Sequence, residues 1–304
     1  MAANILITGA SGFLGSVLTG YLSQSEFAFC IETIGRGKEA TYQADLGTGI
    51  APFGKKYDIV IHAAGKAHMI PSSPAEEAEF FKVNVDGTKH LCRAFSPDTK
   101  PDAFIFISTV AVYGKDAGEM INEEFPLSGS TPYAKSKIMA EQWLQQWATE
   151  SGVRLTILRL PLIAGPNPPG NLGDMMNGIR SGRYFSIGKA EARKSIVWAE
   201  DIAAIIPKAA QVGGTFNLTD GYHPSFRELE HCIAGALDRK HPRHIPLVAA
   251  QSLAAVGDLV GKRFPINSRK LRKILSSLTF DDRKANKLIH WNPSKVIEKL
   301  PSII

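Results

Sequence analysis

Along the first half of the chain, short runs of β-branched and aromatic residues alternate with stretches of helical periodicity. Ile5-Leu6-Ile7 reads as a strand, followed by a glycine turn and a helix near 13–24. Further strands are expected at Phe29 to Ile34, Asp58 to His62, Phe104 to Ser108 and Leu155 to Leu160. The continuous apolar run at Phe104 predicts a strand buried on both faces. The segment 74–96 carries helical periodicity. Thr131 and Pro132 give the N-cap and first-turn signal of a helix over 132–150. Strand–helix alternation of this kind predicts an α/β fold, a doubly wound parallel sheet with right-handed crossovers. After about residue 160 the texture becomes rich in Pro and Gly, from Pro161 to Gly173, and later helices are expected near 225–237, 248–262 and 283–289. The chain therefore divides into a sheet-based part, 1–160, and a smaller, mainly helical part, 161–304, with some segments returning to the sheet. No internal repeat is visible.

Composition narrows the class. The 304 residues are 44% hydrophobic and 21% charged, an ordinary globular balance. The net charge of +6 reads as mild and evenly spread, without the basic and aromatic interleaving of a nucleic-acid face. It equally suits an anionic small substrate. The three cysteines, Cys30, Cys92 and Cys232, are widely spaced and read as reduced thiols. His62, His68 and His90 show no metal-ligand spacing, and no metal is expected. The apolar stretch from Leu247 to Val260 is interrupted by Gln251 and Asp258 and is too short to span a bilayer. Without a signal peptide at the N-terminus, the expected location is cytoplasmic.

Three motifs carry chemistry. Gly9-Ala10-Ser11-Gly12-Phe13-Leu14-Gly15 follows a strand and opens a helix, where free backbone N–H groups and the helix dipole favour a pyrophosphate. Its spacing is GxxGxxG. Tyr133 and Lys137 are four apart, on one helix face. The ammonium and the helix start at Pro132 are expected to favour the phenolate. Thr109 closes a buried strand at the end where ligands of open α/β sheets bind.

The three motifs, in this order, resemble the extended short-chain dehydrogenase/reductase family, whose members include nucleotide-sugar epimerases, dehydratases and 4-keto-sugar reductases. Asp58 to Gly65, Asn84-Val85-Asp86-Gly87-Thr88, Leu158-Arg159-Leu160-Pro161, Val197 to Asp201 and the C-terminal Thr279 to Asp282 with Trp291-Asn292-Pro293 are similar to further family segments. The resemblance implies a Rossmann-type dinucleotide-binding domain and a substrate-binding C-terminal part. It implies Thr109, Tyr133 and Lys137 as the catalytic set, with Tyr133 exchanging the proton and Lys137 holding the ribose. It implies cofactor contacts from Gly9, Ser11, Gly12, Phe13, Leu14, Gly15, Asp45, Leu46, His62, Ala63, Ala64 and Pro161, besides Tyr133 and Lys137. Arg193 and Lys194 fall where a basic residue meets the substrate diphosphate, and Thr109 would also touch substrate. Leu162 stands where sugar-nucleotide members commonly carry Asn. A homodimer through 74–96 and 132–150 is expected.

Where NAD-selective members place an acid, this chain has Ile34-Gly35-Arg36-Gly37. Arg36 can accommodate a 2′-phosphate, so NADP(H) is preferred over NAD(H). Together with the short C-terminal part, and with stretches at Ala64 to Met69 and Phe264 to Ser268 similar to 4-reductases of surface-polysaccharide pathways, this favours an NADP(H)-dependent reductase of a nucleotide-linked 4-keto-6-deoxy-hexose. An NAD-dependent nucleotide-sugar 4-epimerase is the alternative, followed by a hydroxysteroid-type dehydrogenase. A regulatory protein of this fold would generally lack the Tyr or Lys that this chain keeps.

Overall fold

The computed structural model describes residues 3–26, 29–67, 69, 71–260 and 266–304. His68, Phe264 and Pro265 lie outside the described residues. The chain opens with strand β1 (Ala3–Thr8), helix α1 (Phe13–Ser23), β2 (Phe29–Gly35), β3 (Tyr42–Gln43) and β4 (Ile59–His62). Helices α2 (Pro74–Phe81) and α3 (Gly87–Arg93) lead to β5 (Ala103–Thr109) and the short β6 (Gly118–Ile121). Then come α4 (Pro132–Ser151), β7 (Arg154–Leu160), β8 (Leu162–Ala164), α5 (Gly170–Arg180), β9 (Phe185–Ile187) and β10 (Ile196–Trp198). The remainder is α6 (Ala199–Val212), β11 (Gly214–Asn217), α7 (Phe226–Ala236), β12 (Arg243–Ile245), α8 (Leu247–Val260), α9 (Ser268–Leu275), β13 (Leu278–Phe280), α10 (Arg283–Ile289) and α11 (Val296–Lys299).

Seven parallel strands form the central sheet in the order β11-β7-β5-β4-β1-β2-β3. Successive side chains point to opposite faces, and helices cover both, so the inner strands β4 and β5 are buried almost throughout. Ile5, Ile7, Ile59, Ile61, Ile105 and Ile107 face α1, α6 and α10. Leu6, Val60, Phe104 and Phe106 face the opposite way, against α3 and α4. Strand order reverses between β1 and β4, so the ends at Thr8 and His62 flank the crevice where such sheets take ligands. Past residue 160 the chain adds to the same sheet, where β11 pairs with β7, and α6 packs against α1. Residues 161–304 also hold α5, α7, α8, α9 and α11 with two two-stranded ladders, and a third ladder pairs β13 with β6.

Two expectations change. The helix over 74–96 is interrupted, because Lys82–Asp86 forms a π-turn between α2 and α3. There the side chain of Asn84 makes tertiary hydrogen bonds that a regular turn would aim elsewhere. The basic surplus is also not evenly spread. Between Asp238 and Leu275 the sequence has nine Lys and Arg against two Asp, so this stretch exceeds the whole chain's +6. Among the described residues no helix is long and apolar enough to cross a membrane.

Candidate active site

The glycine loop is fixed by close backbone approach. Gly9 has φ 74°, and a Cβ there would lie 2.6 Å from the Ala64 nitrogen. A Cβ on Gly15 would lie 1.9 Å from the Gly9 carbonyl oxygen. Neither position admits a side chain. Ser11 and Gly12 form the exposed crest, Phe13 is half-buried, and Leu14 is buried in the core, so it offers a ligand only its N–H. The first turn of α1 carries no acidic residue, and Gly12 caps it without a side-chain bond. Its leading N–H groups have no helical carbonyl behind them. This backbone cradle fits a pyrophosphate. Its far wall is the end of β4, where Ala63 N–H donates to the Thr8 carbonyl at 3.2 Å and Ala64 N–H to the Thr8 hydroxyl at 3.1 Å.

Parallel pairing sets Ile34 beside Thr8, so Gly35 and the exposed Arg36 leave the sheet next to the cradle. Asp45 is exposed, and its carboxylate accepts from Gly47 N–H at 2.9 Å. Leu46 is buried, with its carbonyl held by His90 at 2.7 Å. Pro161 is half-buried between β7 and β8.

The three residues expected to be catalytic gather where the end of β5 meets the first turns of α4. Thr131 caps α4, accepting from Ala134 N–H at 3.2 Å with Pro132 in the first turn, as expected. The Thr109 hydroxyl faces the Tyr133 phenol closely enough to favour its ionised form. One turn on, the Lys137 ammonium donates to the Ile107 carbonyl at 2.8 Å and lies 4.5 Å above the Phe106 ring. Burial lowers the Lys137 pKa to about 8, against an opposing pull from Glu141. The expectation of an acidified Tyr133 is not met. Burial pushes the phenol above its ordinary value, and the Thr109 hydroxyl only partly offsets this. Tyr133 therefore holds its proton at neutral pH.

His62 meets the cradle differently from the expectation. Its ring is fully buried, with Nδ1 2.7 Å from the Thr8 hydroxyl and Nε2 2.9 Å from the Thr88 hydroxyl. Thr88 donates its proton to the Asn84 carbonyl at 2.7 Å, so it accepts from His62 Nε2–H. Nδ1 then accepts from Thr8, and burial holds the imidazole neutral, with its pKa at about 3. The side chain joins β1, β4 and α3 and is unavailable to a ligand. Beyond Thr88, Asn84 continues the chain. Its Oδ1 accepts from Lys66 N–H at 2.7 Å, and its Nδ2 donates to Ser136 Oγ at 2.9 Å. Ser136 in turn donates to the Tyr133 carbonyl at 2.8 Å. One hydrogen-bonded row thus runs from the cradle to the helix that carries Tyr133.

Two charged residues escaped the sequence reading. Glu141 and Arg159 form a buried ion pair at 2.7 Å, with Arg159 Nη1 also donating to the Tyr113 hydroxyl at 3.0 Å. Ser108 donates to the same carboxylate. Glu141 lies one turn beyond Lys137, and Arg159 interrupts an apolar buried strand. That costly placement was the available signal.

Arg193 and Lys194 have partners within the protein. Arg193 donates to the His223 carbonyl at 3.0 Å, 3.4 Å from Glu228. Lys194 Nζ donates to the carbonyls of Lys273 and Ser276 at 2.9 and 2.8 Å, closing the C-terminal end of α9. Burial, with help from the Lys273 charge, lowers the Lys194 pKa to about 8. A diphosphate would have to draw Lys194 away from two carbonyls, and Arg193 away from the His223 carbonyl and Glu228.

Comparison with known proteins agrees with this geometry. The N-acetyl-α-D-glucosaminyl-diphospho-ditrans,octacis-undecaprenol 4-epimerase of Escherichia coli O157:H7 is 27% identical over 94% of this chain and 89% of its own length. GDP-6-deoxy-D-mannose reductase of Pseudomonas aeruginosa is 25% identical over 77% of this chain and 80% of its own. The structure of RMD from Pseudomonas aeruginosa, complexed with NADPH, superposes with a TM-score of 0.75 at 20% identity, over 99% and 98% of the two chains. The model of the NAD dependent epimerase/dehydratase family matches residues 5–218, which span the cradle, Thr109, Tyr133 and Lys137, and the chain belongs to that family.

Proposed function

We propose that this protein is an NADP(H)-dependent reductase of a nucleotide-linked 4-keto-6-deoxy-hexose. The carrying observation is the end of β2, where Gly35 gives way to exposed Arg36 beside the cradle and the expected acid is missing. A guanidinium there pairs with a 2′-phosphate, and a phosphorylated cofactor suits a reductase that exchanges it at each turnover. When bound, the reduced nicotinamide supplies a hydride to the carbonyl carbon. Tyr133, protonated at neutral pH, donates to the carbonyl oxygen as it becomes an alkoxide. Thr109 orients that oxygen from the other side, and Lys137 is placed to hold the ribose and support the phenolate that forms. Arg193 is the cation on hand for the substrate diphosphate.

Arg36→Ala is expected to weaken NADPH binding about ten-fold while leaving NADH nearly unchanged, as one lost charge-assisted contact would. Fluorescence titration with both cofactors reads this, and tighter NADH than NADPH binding by the unsubstituted chain would sink the cofactor assignment. The reaction is tested by mixing the protein with NADPH and UDP-, GDP- and dTDP-linked 4-keto-6-deoxy sugars. Stoichiometric loss of reduced cofactor supports the reductase. With nucleotide-linked hexoses that carry a C4 hydroxyl in place of the ketone, inversion at C4 without net loss of cofactor means a 4-epimerase, the second reading, which the 27% identical relative favours. A homodimer through α2–α3 and α4 belongs to the proposal, and a monomer by light scattering at micromolar concentration would remove it.

A further inference from the structure

Helix α8 is built inside out. Its buried seam is Ala250, Ala254 and Gly257, small residues that lie against Leu271 of α9, Ile187, Ile245 and Ile266. Its larger apolar residues face outward. Leu259 is 89% exposed and Val248 73%, with Leu253, Val256 and Val260 also exposed. A helix serving only the core would show the reverse arrangement. No charge interrupts that outer arc. Ser252 within it turns its hydroxyl back to the Val248 carbonyl at 3.1 Å. Asp258, at the flank, caps the start of α9 through Ser268.

The neighbouring α9 completes the surface with charge. Leu271 points inward, while Arg269, Lys270, Arg272 and Lys273 are exposed. Asp116 lies 2.8 Å from Lys273 and 3.8 Å from Arg269. Asp116 sits in the loop that leaves the Thr109 strand, so this surface adjoins the side of the molecule that holds the catalytic set.

We propose that the α8–α9 pair is a docking face that seats this protein on an anionic phospholipid bilayer. The apolar arc enters the boundary between headgroups and acyl chains, and the α9 cations meet lipid phosphates. The helix lies in the interface and does not span it. A second copy of the chain is the poorer occupant. A two-fold contact would bring the same basic segment against itself, with nine Lys and Arg to two Asp on each side. Docking holds the site at the membrane surface and does not depend on the nucleotide-linked substrate proposed above.

The test is co-sedimentation of the full chain with vesicles of phosphatidylcholine and phosphatidylglycerol, and with phosphatidylcholine alone. Binding to the anionic vesicles that weakens with added salt is expected. Val248→Glu with Leu259→Glu, at positions already exposed, is expected to weaken it at least about ten-fold while leaving the thermal unfolding curve in place. Arg272→Glu is expected to reduce the preference for anionic vesicles. A chain that stays in the supernatant overturns the proposal, as does undiminished binding of the double variant. So does a dimer by light scattering that the double variant dissociates without any vesicle binding. Cofactor turnover does not enter the readout, so docking and the reductase reading fail separately.

Discussion

Tyr133→Phe is expected to lower kcat by about 100- to 10,000-fold, the usual range for removing a positioned proton donor. Cofactor affinity should stay near its original value, because the cradle is built from the Gly9–Gly15 backbone and the end of β4. The phenol is in place for one task. Thr109 lies beside it, and burial keeps it protonated. Its backbone is held from below by Ser136 and Asn84, so the Phe variant should fold normally. Single-turnover kinetics with NADPH and the identified keto-sugar, beside a cofactor titration, check both halves. Undiminished turnover would take the proton-donor role away from Tyr133.

Glu141→Ala is expected to destabilise the protein by about 3–5 kcal/mol, because it strands a buried guanidinium. Arg159 gives the carboxylate three N–H contacts, at 3.3, 3.2 and 2.7 Å, and shares its remaining donors with Tyr113 and the Glu123 carbonyl. Removing both charges together, as Glu141→Leu with Arg159→Met, should recover much of the loss, since the desolvation penalty goes with the pair. Urea unfolding of the three variants decides this, and a double variant no more stable than Glu141→Ala would mean that the pair is not the cause. The same carboxylate acts on the site. Its charge holds the Lys137 ammonium up against burial, which has brought the group to about pH 8. Glu141→Gln removes that charge at nearly constant shape. Lys137 should then lose its proton at lower pH, and the alkaline fall in kcat/KM should begin earlier. A profile unchanged in position would leave Glu141 with a purely structural role.

Some of this was readable without coordinates. Continuous apolar runs such as Phe104 to Ser108 foretell strands buried on both faces, and the observed β5 contributes alternate residues to the two cores. The Thr131–Pro132 cap places Tyr133 in the first turn of α4, and the four-residue step to Lys137 fixes their shared face. The glycine spacing after β1 announces a turn that no side chain could occupy, and the 1.9 Å approach at Gly15 gives the reason.

What the sequence by itself determined was therefore local: the order of strands and helices, the cradle, and the nearness of Thr109, Tyr133 and Lys137, the proposed catalytic set, at one strand end and one helix turn. Backbone geometry and hydrophobic period act over a few residues, so their pattern is written in adjacent positions. The tertiary structure alone decided the rest. His62 became a neutral clamp because Thr8 and Thr88, from β1 and α3, close on its two nitrogens. The helix over 74–96 opened at Asn84 because Lys66 and Ser136 offered it partners. Lys194 was drawn to the end of α9, nearly eighty positions away in the chain. In α8, whose composition is apolar almost all round, the choice of buried face fell to Ala250, Ala254 and Gly257, the small seam that lets α9 approach, leaving the larger side chains outside. In each case the deciding partner is distant in sequence, and periodicity carries no information about it.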